Sequence, residues 1–178
     1  MEIIPTELEG VKILRPRVFT DIRGTFVKTF HAPALREAGL EFTPQEEFFS
    51  ISHRNVLRGM HFQLPPADHI KVVYCLTGRV LDLVVDLRKK SATFGRHLAR
   101  ELSGKNREIL YIPTGFAHGF LSLEDNTTML YQTSTGHSPA HDVGIRWDSI
   151  GYQWPVESPI MSDRDRQFAA LSEFQSPF

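Results

Sequence analysis

A single cysteine, Cys75, stands among the 178 residues, so no intrachain disulfide can form and no cysteine cluster is available to hold zinc. Such usage fits a reducing compartment. Net charge is equally scarce: 20 Lys and Arg against 21 Asp and Glu leave −1 with histidine neutral. Neither nucleic acid nor an anionic membrane surface is therefore the expected partner, although a local cationic pocket stays allowed. The opening MEIIPTELEG has no basic stretch leading into an apolar one, and no run of about 18 apolar residues occurs anywhere. The expectation is a soluble, cytoplasmic protein. Trp and Tyr are few, at 2 and 4, and 13 Phe supply most of the aromatic content. With 41% hydrophobic residues, this points to one aromatic-rich core in a single domain over residues 1–178.

Helical connectors between strands are also missing. Residues 11–30, VKILRPRVFTDIRGTFVKTF, read as two brief β-rich runs around the turn formers Thr20, Asp21, Arg23 and Gly24. APALREAGLEF predicts a short surface helix through Ala34, Leu35 and Ala38, ended by Gly39. From Asn55 onward come NVLRGMHFQL, IKVVYCLTG, RVLDLVVDLRK, REILYIP, HGFLSLE and TTMLYQTS. Gly-, Pro-, Asp- and Asn-rich turns separate these runs, the pattern of an antiparallel sandwich or barrel. In LDLVVDLR, Leu81, Leu83, Val85 and Leu87 share one face, and Val80, Asp82, Val84 and Asp86 the other, so Asp82 lies enclosed between valines. Beyond Ile150 the chain is punctuated by proline, with one weak helical segment from Asp163 to Leu171. Such a tail must lie on a platform, either the barrel mouth or a second subunit.

Several residues in these runs carry chemistry. On a straight strand His61, in RGMHFQ, shares a face with Leu57, Gly59 and Gln63, and Arg58 joins that face only if Gly59 makes a bulge. Lys71 opens KVVYC on the face of Val73 and Cys75. Its ammonium either snorkels to solvent or turns inward toward Asp82 or a substrate oxyanion. YIPTGFAHGF carries His118 in PxGxxH spacing, which resembles the second motif of the cupin superfamily, where the histidine commonly binds metal. The first cupin motif needs an HxH pair and a downstream Glu. Here the matching positions are His61, Phe62 and Gln63, followed by Lys71, so that metal centre cannot be assembled and a metal-free cupin is expected. Tyr131 ends TTMLY, and Asp165 sits in MSDRDR.

Taken in order, FTDIRGTF, NVLRGMHFQ, the KVV to RVLDLVVDLRKKSATFG stretch, IPTGFAHGF, the Tyr131 segment with GIRW, and SDRD resemble the dTDP-4-dehydrorhamnose 3,5-epimerase family. The resemblance implies an all-β cupin or jelly-roll barrel with short peripheral helices and wrapped terminal segments. It also implies a homodimer that needs neither metal nor cofactor and acts on a nucleotide-linked 4-keto-6-deoxyhexose. By motif position it makes His61 the catalytic base, Asp165 its carboxylate partner, Lys71 the cation near the C4 oxygen, and Tyr131 the acid on the opposite ring face. Arg23 and Arg58 match diphosphate contacts, with Phe26, Gln63, His118 and His137 as further substrate contacts. The hairpin carrying Arg23 is expected to reach across the dimer. These residue types suit the chemistry, because removing a proton α to a ketone builds negative charge on the carbonyl oxygen.

The chain also departs from the family pattern. His137 stands where a second tyrosine is common, EEFFS replaces QDNxS, and His69-Ile70 replaces Gln-Gly before the lysine. All three changes fall where sugar or nucleotide would sit. The sequence therefore leaves open epimerisation at C3 or C5 alone, a CDP- or GDP-linked sugar, or a non-catalytic sugar-nucleotide-binding cupin.

Overall fold

Short runs of β-branched and aromatic residues, cut by turn residues, build thirteen strands in the computed structural model, which describes residues 1–178. The first half holds β1 (Glu2–Pro5), β2 (Lys12–Arg15), β3 (Val18–Asp21), β4 (Gly24–Val27), helix α1 (Ala32–Glu37), β5 (Glu46–Ser52), β6 (Leu57–Gln63), β7 (Lys71–Thr77) and β8 (Arg79–Asp86). The second half holds β9 (His97–Ser103), β10 (Ile109–Ile112), β11 (Phe116–Ser122), β12 (Thr127–Thr133), β13 (Asp142–Gly144) and helix α2 (Asp163–Arg166). One sheet runs β1-β2-β10-β7-β12-β5 and a second β13-β6-β11-β8-β9, while β3 and β4 pair only with each other. All these strand pairings are antiparallel. This is the jelly-roll barrel of the cupins.

Three apolar layers hold the sheets. Val73, Cys75, Val80, Val84, Leu110, Phe120, Met129 and others fill the space between them. On the outside of the second sheet, Leu83, Val85 and Leu87 meet Ile145, Ile150, Trp154 and Met161 of the C-terminal segment. Strand β8 is thus buried on both faces, as its alternation predicted, and burying each large side chain contributes roughly 1.5–3 kcal/mol. Outside the first sheet, Leu14, Val72, Tyr74, Ile109 and Tyr111 are covered by Leu35, Leu40 and Phe42. Both ends of the chain are therefore wrapped over the barrel. No helix is long and apolar enough to cross a membrane.

The structure departs from the sequence-based expectations in three places. The N-terminal stretch forms three strands, because Pro16 and Arg17 separate β2, which joins the main sheet, from the β3–β4 hairpin. Strands β1, β5, β9 and β13 were not expected. β9 lies at a sheet edge, bonded only to β8, and its Arg100 pairs with the buried Glu108 at 2.6 Å. Its charge looks like a loop until that partner is known. The helical segment expected from Asp163 to Leu171 is only α2, followed by a single 3-10 turn at Leu171–Glu173. The chain leaves the helix to pair with the barrel, Arg146 N donating to Ala169 O at 2.8 Å.

Candidate active site

The site starts from a bulge. His61 lies opposite His118, and Arg58 opposite Phe120, so a three-residue step along β6 matches a two-residue step along β11. The extra residue turns Arg58 to the cavity that His61 lines. Gly59 makes this possible with φ +139, and a Cβ there would stand 2.6 Å from the Gly119 Cα. Only glycine fits such a backbone. Gly59→Ala is accordingly expected to cost about 3 kcal/mol or more, read as a lowered urea midpoint. An unchanged midpoint would contradict this account of the bulge.

Behind the bulge, the C-terminal segment is pinned to the start of β6. Leu57 N donates to Ile160 O at 2.9 Å, and Ile160 N to Asn55 O at 2.9 Å. Two residues later Ser162 caps α2, its hydroxyl accepting from Asp165 N at 3.1 Å. This sets the Asp165 carboxylate against His61 Nε2 at 2.8 Å, while its second oxygen accepts from Gly59 N at 3.1 Å. Burial opposes ionisation of Asp165, but the hydrogen bonds and charge of His61 and the Gly59 amide outweigh it and hold the carboxyl below its usual range. An ionised Asp165 can only accept, so the hydrogen of this bond sits on His61 Nε2, and in the neutral imidazole Nδ1 is the nitrogen with the free lone pair. Phe168 packs edge-on against the imidazole at 5.7 Å.

Tyr131 and Lys71 come from the opposite sheet, on β12 and β7. Tyr131 is stacked on Phe48 at 4.8 Å and shares a hydrogen bond with Ser50 Oγ at 3.3 Å. Burial pushes its phenol well above the ordinary tyrosine range, so it stays protonated. Burial pushes the Lys71 ammonium down to about 8, with Asp142 and Asp82 opposing. Lys71 lies half-buried at the head of β7, opposite Ile112 and Thr133. Beneath them, His118 bonds the fully enclosed Asp82 at 2.9 Å. Burial drives the carboxyl up and the imidazole down, each toward its neutral form.

These residues line one cavity of about 360 Å³, a volume that suits a small ligand. His61, Lys71, Tyr131, Arg58, Gln63, His118 and His137 all border it, with Asp165 directly behind His61. Their roles differ in kind. The Gln63 amide is committed to the protein: its oxygen accepts from Ser138 N at 2.7 Å and its nitrogen donates to Ala67 O at 2.7 Å. His137 faces Asp142 at 3.2 Å, and its backbone N donates to Glu46 at 2.6 Å. Arg58 donates to Ser52 Oγ at 3.1 Å.

Arg23 and Phe26 are not brought to this cavity. They sit on the β3–β4 hairpin, where Arg23 pairs with Asp21 at 2.6 Å and Phe26 lies 59% exposed beside Phe19. Sequence reasoning missed Glu46, Asp142 and Arg164, which line the rim; Arg164 pairs with Asp142 at 2.9 Å. Adjacency to Asp165 was the only signal for Arg164. Nothing in the local sequence pointed to Asp142.

A carboxylate-held imidazole faces a phenol and an ammonium across a barrel mouth, which suits an isomerase that moves protons on and off carbon within a cupin fold. Comparison with known proteins names the kind of isomerase. Residues 5–173 match the family model for dTDP-4-dehydrorhamnose 3,5-epimerase, and the chain belongs to that family. It is 42% identical over 168 residues to the dTDP-4-dehydrorhamnose 3,5-epimerase of Shigella flexneri, covering 93% of each chain. The crystal structure of the Bacillus anthracis enzyme with TDP and pyrophosphate bound superposes with a TM-score of 0.93 at 36% identity, covering 96% of this chain and 99% of that one. The dTDP-6-deoxy-D-glucose-3,5-epimerase of Legionella pneumophila, in complex with dTDP-4-keto-L-rhamnose, also gives 0.93, at 32% identity and coverage of 98% and 94%.

Proposed function

We propose that the protein inverts C3 and C5 of dTDP-4-dehydro-6-deoxy-D-glucose by stepwise proton transfer, working as a cytoplasmic homodimer. The observation that carries this reading is the pairing of His61, on one sheet, with Asp165 of α2 at 2.8 Å, facing Tyr131 on the other sheet across the cavity. His61 Nδ1 takes the proton from the carbon next to the ketone, and the electron pair moves into an enolate whose oxygen the Lys71 ammonium stabilises. Tyr131 returns a proton to the opposite face. Each inversion leaves an imidazolium and a phenolate, and exchange with solvent resets both. C3 and C5 both flank C4, so one cation serves both centres. Family membership and 42% identity to a 3,5-epimerase support this choice of substrate.

Arg58 at the rim has guanidinium donors to spare for a diphosphate. Arg23 and Phe26 then serve the cavity of a second copy. The exposed Phe19, Ile22 and Phe26 of the hairpin, and Phe49 and Ile51 on edge strand β5, support such an assembly. Mixed dimers test it. Arg23→Ala and His61→Ala homodimers are expected to be weak, and subunits exchanged between them are expected to recover activity through one intact site per heterodimer. Failure to recover, with exchange verified, would place Arg23 at its own subunit's site or at none.

The Lys71 shift gives a pH dependence. An ammonium with a value of about 8 is charged below that pH and lost above it, so kcat/KM is expected to fall as pH rises through about 8. Residual activity in Lys71→Gln should lack that limb. Stability moves the other way: burying the charged ammonium costs stability below about 8, and because the unfolded lysine keeps its proton to 10.5, that cost is relieved as pH rises between the two values. Substrate identity is tested by following C3 and C5 by NMR with dTDP-, CDP- and GDP-linked 4-keto-6-deoxyhexoses. Preferred turnover of the dTDP sugar, with both centres inverted, is expected; preference for another nucleotide, or inversion at one centre alone, would overturn the specific reading.

A further inference from the structure

His69 Nε2 is the one side-chain polar atom buried without a hydrogen-bond partner. Leaving such a group unpaired costs roughly 1–3 kcal/mol, so it calls for a partner such as a water or a bound ligand. The surrounding bonds decide which ring nitrogen carries the proton. Ser138 N donates to Gln63 Oε1 at 2.7 Å, which orients the Gln63 amide, so its Nε2 is a donor. That donor, which also reaches Ala67 O at 2.7 Å and Gly136 O at 3.3 Å, stands 3.2 Å from His69 Nδ1 and can only donate to it, while Thr135 Oγ1, 3.5 Å from the same nitrogen, gives its own proton to Ala67 O at 3.1 Å. Nδ1 is therefore the acceptor, and the proton sits on Nε2 as a donor with nothing to receive it.

His69 lines the cavity together with Lys71, two residues along the chain. Both also border a small adjoining recess among Phe62, Ile112 and Phe116, which Arg58 does not line. They therefore stand at the end of the cavity that adjoins this recess. We infer that His69 Nε2–H donates a hydrogen bond to the C4 oxygen of the sugar beside the Lys71 ammonium, so that the two donors together hold the enolate. This rests on the epimerase reading above and adds a catalytic residue to it. Burial, followed by the charge of Lys71, pushes the His69 imidazole down to about 3, with Asp142 opposing. A neutral imidazole donates without competing with His61 for the substrate's proton.

His69→Leu removes the donor, and His69→Gln supplies an amide N–H in its place. The Leu variant is expected to lose about 10²-fold in kcat for epimerisation, with affinity for dTDP, which has no sugar carbonyl, unchanged. The Gln variant is expected to recover most of that loss. Wild-type protein labelled with 15N-histidine gives a test independent of any variant's folding. His69 should hold the Nε2–H tautomer from pH 5 to 9, and its Nε2–H resonance should move with the 4-keto sugar nucleotide but not with dTDP. Wild-type turnover in a folded Leu variant, or a His69 resonance indifferent to the keto sugar, would overturn the inference while leaving the epimerase reading intact. Absence of α-proton exchange in the wild-type protein would overturn both.

Discussion

His61→Ala is expected to lower kcat/KM for epimerisation by about 10³-fold or more, the upper part of the range for a general base. Exchange of the substrate's α-protons should fall with it. His61 has 29% of its side chain exposed and its main partners are Asp165 and Phe168, so little packing is lost. The alanine variant does deprive a buried carboxylate of one hydrogen bond, although Gly59 N still supports it. His61→Asn keeps a donor within reach of Asp165 but provides no base. It should melt near the wild-type temperature and lose the same activity. An Asn variant with wild-type turnover would show that His61 only holds Asp165 and α2 in place.

Tyr131→Phe gives the second large effect, of a different kind. Inversion should fall by about 10²–10³-fold, because the face opposite His61 loses its proton donor. Exchange of α-protons with solvent should persist, since the base and Lys71 remain. The ratio of exchange to inversion therefore rises, which no loss of substrate binding can imitate. Folding should hardly notice the change: the hydroxyl makes one long bond, to Ser50 at 3.3 Å, while the ring keeps its stack on Phe48. Equal losses of exchange and inversion would remove Tyr131 from the role of acid.

Much of the barrel is legible in the sequence because strand and core share a period. The runs from Asn55 to Thr133 alternate or stay apolar, and turn residues cut them where the strands end. β5 escapes that logic, since EEFFSIS starts with two acids and leaves Phe49 and Ile51 facing outward. β9 escapes it through charges whose partners, such as Glu108, are remote in sequence. The site follows the same division. Local motifs point to His61, Lys71, Tyr131 and Asp165, and the family resemblance supplies their roles. The pairing of His61 with Asp165 spans 104 residues, and no periodicity connects them. Likewise, alternation enclosed Asp82 between valines, but only the fold supplies His118 as its partner. The unpaired nitrogen of His69 is still less visible, because it depends on the orientation of Gln63, fixed in turn by Ser138.

The most direct test of the account is to let the wild-type protein turn over dTDP-4-dehydro-6-deoxy-D-glucose in deuterium oxide and follow C3 and C5 separately by NMR. Proton abstraction by His61 and return from Tyr131, both exchanging with solvent, predict one deuterium at each inverted carbon. Inverted product that retains its original hydrogens, or no incorporation at either carbon, would contradict it.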